Sequence, residues 1–170
     1  MPIVEKTDLN HASEEVLQAV KNHTDMGYRI TNEKLTLLHN VTCFTALEVN
    51  SYAVDRELQK IVGERAAEFF EYAISIENEC IVCSTYFRKK ATKFGVTDMS
   101  TFEFTDTEKL LIDYAKAITK DVKHIPDEIY ARLKERFNEE EIVVITTMAV
   151  FMIANNYFND IMKVEPEQFP

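Results

Sequence analysis

Residues 64–83 read ERAAEFFEYAISIENECIVC, and this stretch decides the fold. Ala66, Ala67, Phe70, Ala73 and Ile74 recur at the spacing of one helical face, which predicts a helix from Glu64 to Glu77. Gly63 separates it from a longer helical run over 41–61. On the other side, Asn78 is expected to cap a helix carrying Cys80, Cys83, Phe87 and Ala91 on one face. That helix should stop at Gly95, after Arg88, Lys89, Lys90 and Lys93, because basic residues in a last turn suit the negative end of the helix dipole.

Helical signals continue outward in both directions. Ser13 with Glu14 and Glu15 opens a helix over 13–27, and a short one is expected over 33–38. After a polar stretch over 96–104, Thr105-Asp106-Thr107-Glu108 is a capping signature before Leu110, Leu111, Tyr114, Ala115 and Ile118. Pro126 with Asp127 and Glu128 begins another short helix ending near Phe137. Asn138, followed by Glu139, Glu140 and Glu141, opens a last long helix reaching about Val164. With only three glycines and four prolines to punctuate hairpins, long helices with short polar turns are favoured over strands. No repeat or biased linker divides the chain, so residues 1–170 read as one all-α domain, with the 13–27 helix packed on its core.

A formal charge of −10 opposes contact with a phosphate backbone or an anionic membrane, so no nucleic-acid and no membrane partner is expected. The opening Met-Pro-Ile-Val-Glu-Lys-Thr-Asp lacks the basic and apolar regions of a signal peptide, and three cysteines fit a cytoplasmic setting. The apolar run over 142–154 is too short to span a bilayer and carries Thr146 and Thr147. A helix apolar almost all round must be covered on most sides, which places it centrally, at a subunit interface of a homo-oligomer, or both.

Cys80-Ile81-Val82-Cys83 is a C-x-x-C whose offset puts both sulfurs on one side of a helix, within reach of a disulfide. Unpaired amides at a helix start favour the thiolate, the form that attacks peroxides and disulfides. Glu77 and Glu79 oppose this by charge repulsion, with Arg88 and Lys89 further along. Two blander readings stand beside redox work. Both cysteines can be small buried hydrophobes. Alternatively His39 and Cys43, four apart, can join the dithiol as a four-ligand zinc site, although a lone Cys43 among apolar neighbours is more often core.

The segment from Glu68 through Ala73-Ile74-Ser75 and Asn78 to Cys80 and Cys83 resembles the active-site stretch of the alkylhydroperoxidase D proteins, within the carboxymuconolactone decarboxylase superfamily. The pattern is a glutamate, a C-x-x-C beginning twelve residues later, and a histidine four beyond the second cysteine; the wider resemblance runs over about 30–164. It implies an oligomeric all-helical bundle and a thiol peroxidase or disulfide reductase needing no cofactor and no metal. In that scheme Cys83 attacks a small peroxide or disulfide substrate and becomes a sulfenic acid, and Cys80 resolves it as a disulfide. Glu68 sits near both as part of a proton relay, and an external dithiol reduces the pair. Read without the resemblance, Glu68 is an exposed helical glutamate among Glu64, Arg65 and Glu71.

The chain departs from that pattern where the histidine belongs, because the residue four beyond Cys83 is Phe87, which relays no proton. Base assistance is typically worth ~10²–10⁴ in rate, so turnover is expected to be slow or absent unless His39 or a water substitutes. His11, His23 and His124 read as surface residues near turns. Superfamily decarboxylases typically lack the dithiol, which disfavours that activity. The alternative is a helical oligomer that binds a small apolar ligand or partner, with Phe69, Phe70, Tyr72, Tyr86 and Phe87 lining a pocket or simply filling the core.

Overall fold

A computed structural model describes residues 1–96, 100 and 102–168, and among these it is helical with no strand. Part of the polar stretch over 96–104 therefore lies outside the described residues. The chain runs through α1 (Glu14–Asp25), α2 (Asn32–Leu37), α3 (Val41–Phe44), a π-helical turn (Thr45–Val49) and α4 (Asn50–Val62). It continues with α5 (Glu64–Glu77), α6 (Ile81–Thr92), α7 (Asp106–Lys120), α8 (Asp127–Arg136) and α9 (Glu139–Met162).

The helix starts follow from local chemistry. The Ser13 hydroxyl accepts the Val16 amide at 3.4 Å. Thr105 with Glu108, and Asn138 with Glu141, each form a reciprocal capping box, so orphan amides at both helix starts find acceptors. The helix expected over 41–61 is one path whose first part widens into the π turn, and that turn carries Glu48 inward.

The central helix is α5, not the last one. It packs against α4, α6, α7 and α9, and every residue over 66–75 is buried, Glu68 and Glu71 included. Phe69, Phe70 and Ile74 are wholly sealed, each removal from water being worth about 1.5–3 kcal/mol. The last helix, α9, instead keeps Val143, Val150, Tyr157 and Ile161 exposed while burying Ile145, Met148, Ala149 and Met152. By length and composition α9 is able to cross a membrane, a wider reach than the 142–154 run has alone. Here its buried side packs on α4 and α5.

A smaller cluster gathers Leu37, Leu38 and Phe44 with Val16, Ala19 and Val20 of α1, so the N-terminal helix packs there. His23 belongs to this region and corrects the sequence reading: it is 1% exposed, with Tyr28, Phe44 and Tyr52 rings within 5.4 Å. Burial first, then the Lys34 charge, hold its pKa down to about 4, against a pull upward from Glu48 and the Arg29 backbone. The neutral ring therefore favours the fold fully above the unfolded value of about 6.5, and that contribution is lost as pH falls toward 4. His23→Phe is expected to remove up to about 1.4 kcal/mol per pH unit from the acid limb of a urea-unfolding series in this window. An unchanged slope in the variant would contradict the assignment.

Candidate functional site

The turn between α5 and α6 sets the two thiols. Asn78 closes α5 rather than opening α6: its amide bonds to Ile74 and Ile76 carbonyls. Glu79 follows at φ 56°, the left-handed residue of a Schellman closure, with its own amide on the Ile76 carbonyl and the Cys80 amide on that of Ser75 at 3.1 Å. Cys80 is thus the last residue of one helix ending and the cap of the next helix. Its sulfur accepts the Cys83 amide at 3.4 Å. The Asn78 side chain is pinned to Asn156 of α9 at 2.9 Å, which fixes this corner against the last helix.

Both cysteines are free thiols, and each is the strongest influence on the other's titration. Cys80 is wholly buried, whereas Cys83 lines a cavity of about 70 Å³. One water needs roughly 10–15 Å³ on this measure, so the cavity has room for a small peroxide. The Cys83 thiol and the amide of its own turn lower the Cys80 pKa, against burial. The Cys80 side chain, then burial and the Glu33 charge, push Cys83 well up. Of the pair, Cys80 therefore gives up its proton more readily than Cys83. The carboxylates felt most, Glu33 and Asp160, come from other elements rather than from adjacent Glu77 and Glu79. Alkylation of Cys83 by iodoacetamide, followed residue by residue by mass spectrometry, should accelerate with pH through the ordinary thiol range of about 8.5 and beyond. A plateau already reached at neutral pH would contradict this ordering.

The cavity lining is both acidic and apolar. Glu33, Glu48, Asp55 and Glu71 line it together with Lys34, Lys90, Val82, Tyr86, Phe87, Met148 and Met152. Lys34 pairs with Glu48 at 3.0 Å, both almost sealed from solvent, and donates to the Tyr52 hydroxyl at 3.2 Å. Burial and the neighbouring Asp55 push the Glu71 carboxyl well up. From α9, Asn159 Nδ2 donates to Cys83 Sγ at 3.2 Å.

The structure brings Cys80 and Cys83 together but sets Glu68 with cations. It is 3% exposed, so the exposed reading fails, and it pairs with Lys90 and, at 3.6 Å, with Lys93. Burial raises its pKa against those two lysines. Phe87 is buried on the cavity wall, its ring 5.2 Å from Lys90 Nζ. His39 does not substitute for the missing histidine: it is exposed and bonds the Glu5 carbonyl at 2.6 Å. Cys43 is exposed rather than core, and no group of three or more His, Cys, Asp or Glu among the described residues is placed to hold a metal. His11 and His124 lie at the surface beside Asp8 and Asp121. Of the aromatics weighed as pocket or core, Tyr86 and Phe87 line the cavity, while Phe69, Phe70 and Tyr72 belong to the core. Glu33 and Asn159 had no motif to mark them.

Fold and site together define an all-helical protein with a buried dithiol opening onto an acidic pocket. Neither a family model nor a curated protein matches the chain. The likeness to the alkylhydroperoxidase D proteins therefore rests on the residues of the motif.

Proposed function

We propose that this protein is a thiol-dependent oxidoreductase of alkylhydroperoxidase type, active on small peroxides or disulfides and recycled by an external dithiol. The observation that carries the reading is the division of labour between the sulfurs: Cys83 lines the cavity, while Cys80 is sealed one turn behind it, its sulfur on the Cys83 amide. Access makes Cys83 the attacking thiol, and contact makes Cys80 the resolving one. The reaction joins two thiols and one hydroperoxide into a disulfide, an alcohol and a water. Glu68, with Lys90 and Lys93, would act at a distance by fixing the charge behind the pocket. The exposed stripe of Val143, Val150, Tyr157 and Ile161 on α9 supports a homo-oligomer, and the cytoplasm, where thiols stay reduced, suits the chemistry.

Consumption of an alkyl hydroperoxide in the presence of a dithiol reductant tests the proposal. Turnover that disappears when Cys80 and Cys83 are both replaced by serine is expected. Turnover indifferent to the double replacement would reject it. A second reading, a ligand-binding helical oligomer, is favoured by one observation: Phe87 stands where the relay histidine would be. Cysteine-dependent turnover would exclude it as the whole function.

A further inference from the structure

We infer that Glu33 is the general acid of this site, its carboxyl delivering within the Cys83 pocket the proton that the departing alkoxide needs and so filling the role left open by Phe87. The inference rests on the dithiol reading above and adds a residue of α2 that lines the same cavity. Glu33 is the second residue of α2, about fifty positions before Cys83 in the chain. It lines the same cavity as Cys83, and Asn159, whose Nδ2 lies 3.2 Å from Cys83 Sγ, also lowers the Glu33 pKa, so one amide acts on both the acid and the nucleophile. Glu33 Oε1 is a buried acceptor with no donor among the described residues. A proton on Glu33 spares the site a buried, unsatisfied carboxylate.

The charges around Glu33 favour that proton. Burial and Glu48 of the π turn raise its pKa to about 8, with a smaller push from Cys80, against Lys34 of its own helix and the Asn159 amide. At pH 7 the acid form is then in roughly tenfold excess, near the optimum for a group that must give up a proton and regain it. The other titratable groups on the cavity wall are committed elsewhere. Glu48 is tied to Lys34, and Lys90, its pKa raised, to Glu68, while burial and the neighbouring Asp55 push Glu71 well up. Tyr52, its pKa well raised, accepts a bond from Lys34. Tyr86 and the tail residue Glu167 complete the titratable lining.

The steps balance. The Cys80 thiolate takes the Cys83 proton, and the Cys83 thiolate attacks the terminal oxygen of the hydroperoxide. The O–O bond breaks, its electron pair leaves with the alkoxide, and Glu33 protonates that oxygen to give the alcohol. The Cys80 sulfur then attacks the Cys83 sulfenic acid. An S–S bond forms, the S–O bond breaks, and the hydroxyl departs with the Cys80 proton as water. Glu33 is left as a carboxylate and regains its proton from solvent.

Single-turnover oxidation of the reduced full-length chain, read as loss of the Cys83 thiol, tests this with two small reagents. tert-Butyl hydroperoxide must expel an alkoxide, whereas methyl methanethiosulfonate expels a sulfinate that needs no proton. Glu33→Gln is expected to slow the hydroperoxide reaction by ~10²–10⁴ and to leave the thiosulfonate reaction unchanged. Equal rates for parent and variant with the hydroperoxide, or an equal slowing with both reagents, would overturn the role of Glu33. In the parent alone, the ratio of hydroperoxide to thiosulfonate rate should fall as pH rises through about 8. A flat ratio overturns the inference however the variant folds. If the parent reacts with the thiosulfonate and closes its disulfide, but never reacts with hydroperoxide, the acid role fails while the dithiol survives. If no disulfide forms with either reagent, the dithiol reading itself fails.

Discussion

Cys83→Ser is expected to lower hydroperoxide reduction by on the order of 10³-fold or more, because removing a nucleophile leaves only binding and orientation. Cys80→Ser should behave differently: the first oxidation persists and stops at a Cys83 sulfenic acid, which a 1,3-dione traps and mass spectrometry locates. The asymmetry follows from position. Cys83 borders the cavity and receives the Asn159 amide, while Cys80 has no surface open to a reagent. Electrostatics oppose access here, since Cys80 gives up its proton more readily than Cys83, which becomes the thiolate by a proton shift within the pair. Attack through a minority form makes the reaction intrinsically slow, and its rate should rise with pH until Glu33 loses its proton. Equal loss of the first oxidation in both variants would show that the sulfurs do not divide the work this way.

Lys34→Met is expected to destabilise the fold by about 3–5 kcal/mol, the cost of leaving a buried carboxylate without its partner. Lys34 and Glu48 are 5% and 4% exposed in their side chains, and Lys34 also serves the Tyr52 hydroxyl. For a chain of this length that loss corresponds to a drop in Tm on the order of 10 °C. The double variant Lys34→Met with Glu48→Leu should recover most of it, since apolar replacement of a whole buried pair is often neutral or favourable. Calorimetric unfolding of the three proteins decides this. A single variant within about 1 kcal/mol of the parent would mean that Glu48 is relieved by protonation or by another cation.

Helix existence was legible because its signals are local. Ser13, Thr105 and Asn138 cap the helices they appeared to cap, and the apolar spacing from Ala66 to Ile74 marked α5. Asn78 misled because an asparagine between two helices suits either end, and the choice fell to Glu79 entering the left-handed region. Apolarity leaves α9 a central place, a subunit interface or both, and it is α5 that holds the centre, with two buried glutamates. Lys90 from α6 pairs with one, and burial beside Asp55 pushes the carboxyl of the other well up. His23 looked superficial beside Gly27, but the rings that cover it come from different elements of the fold.

The candidate site divides the same way. A C-x-x-C is visible in any reading of the chain, and so is the phenylalanine at the histidine position. Glu33 and Asn159 were not visible, because α2 and α9 meet α6 only after folding, and neither residue carries a spacing relative to the cysteines. Glu68 carried such a spacing, but its carboxylate ends among lysines. Sequence spacing fixes which residues share a helix face. It does not fix which carboxylate from another helix reaches that face.

Intact-mass and peptide analysis of the reduced chain after one equivalent of alkyl hydroperoxide decides whether Cys80 and Cys83 form a reversible redox pair. Loss of two hydrogens, a single crosslinked peptide joining Cys80 to Cys83, and full reversal by a dithiol are the expected result. Two free thiols at those positions, or a disulfide through exposed Cys43 instead, would contradict the account.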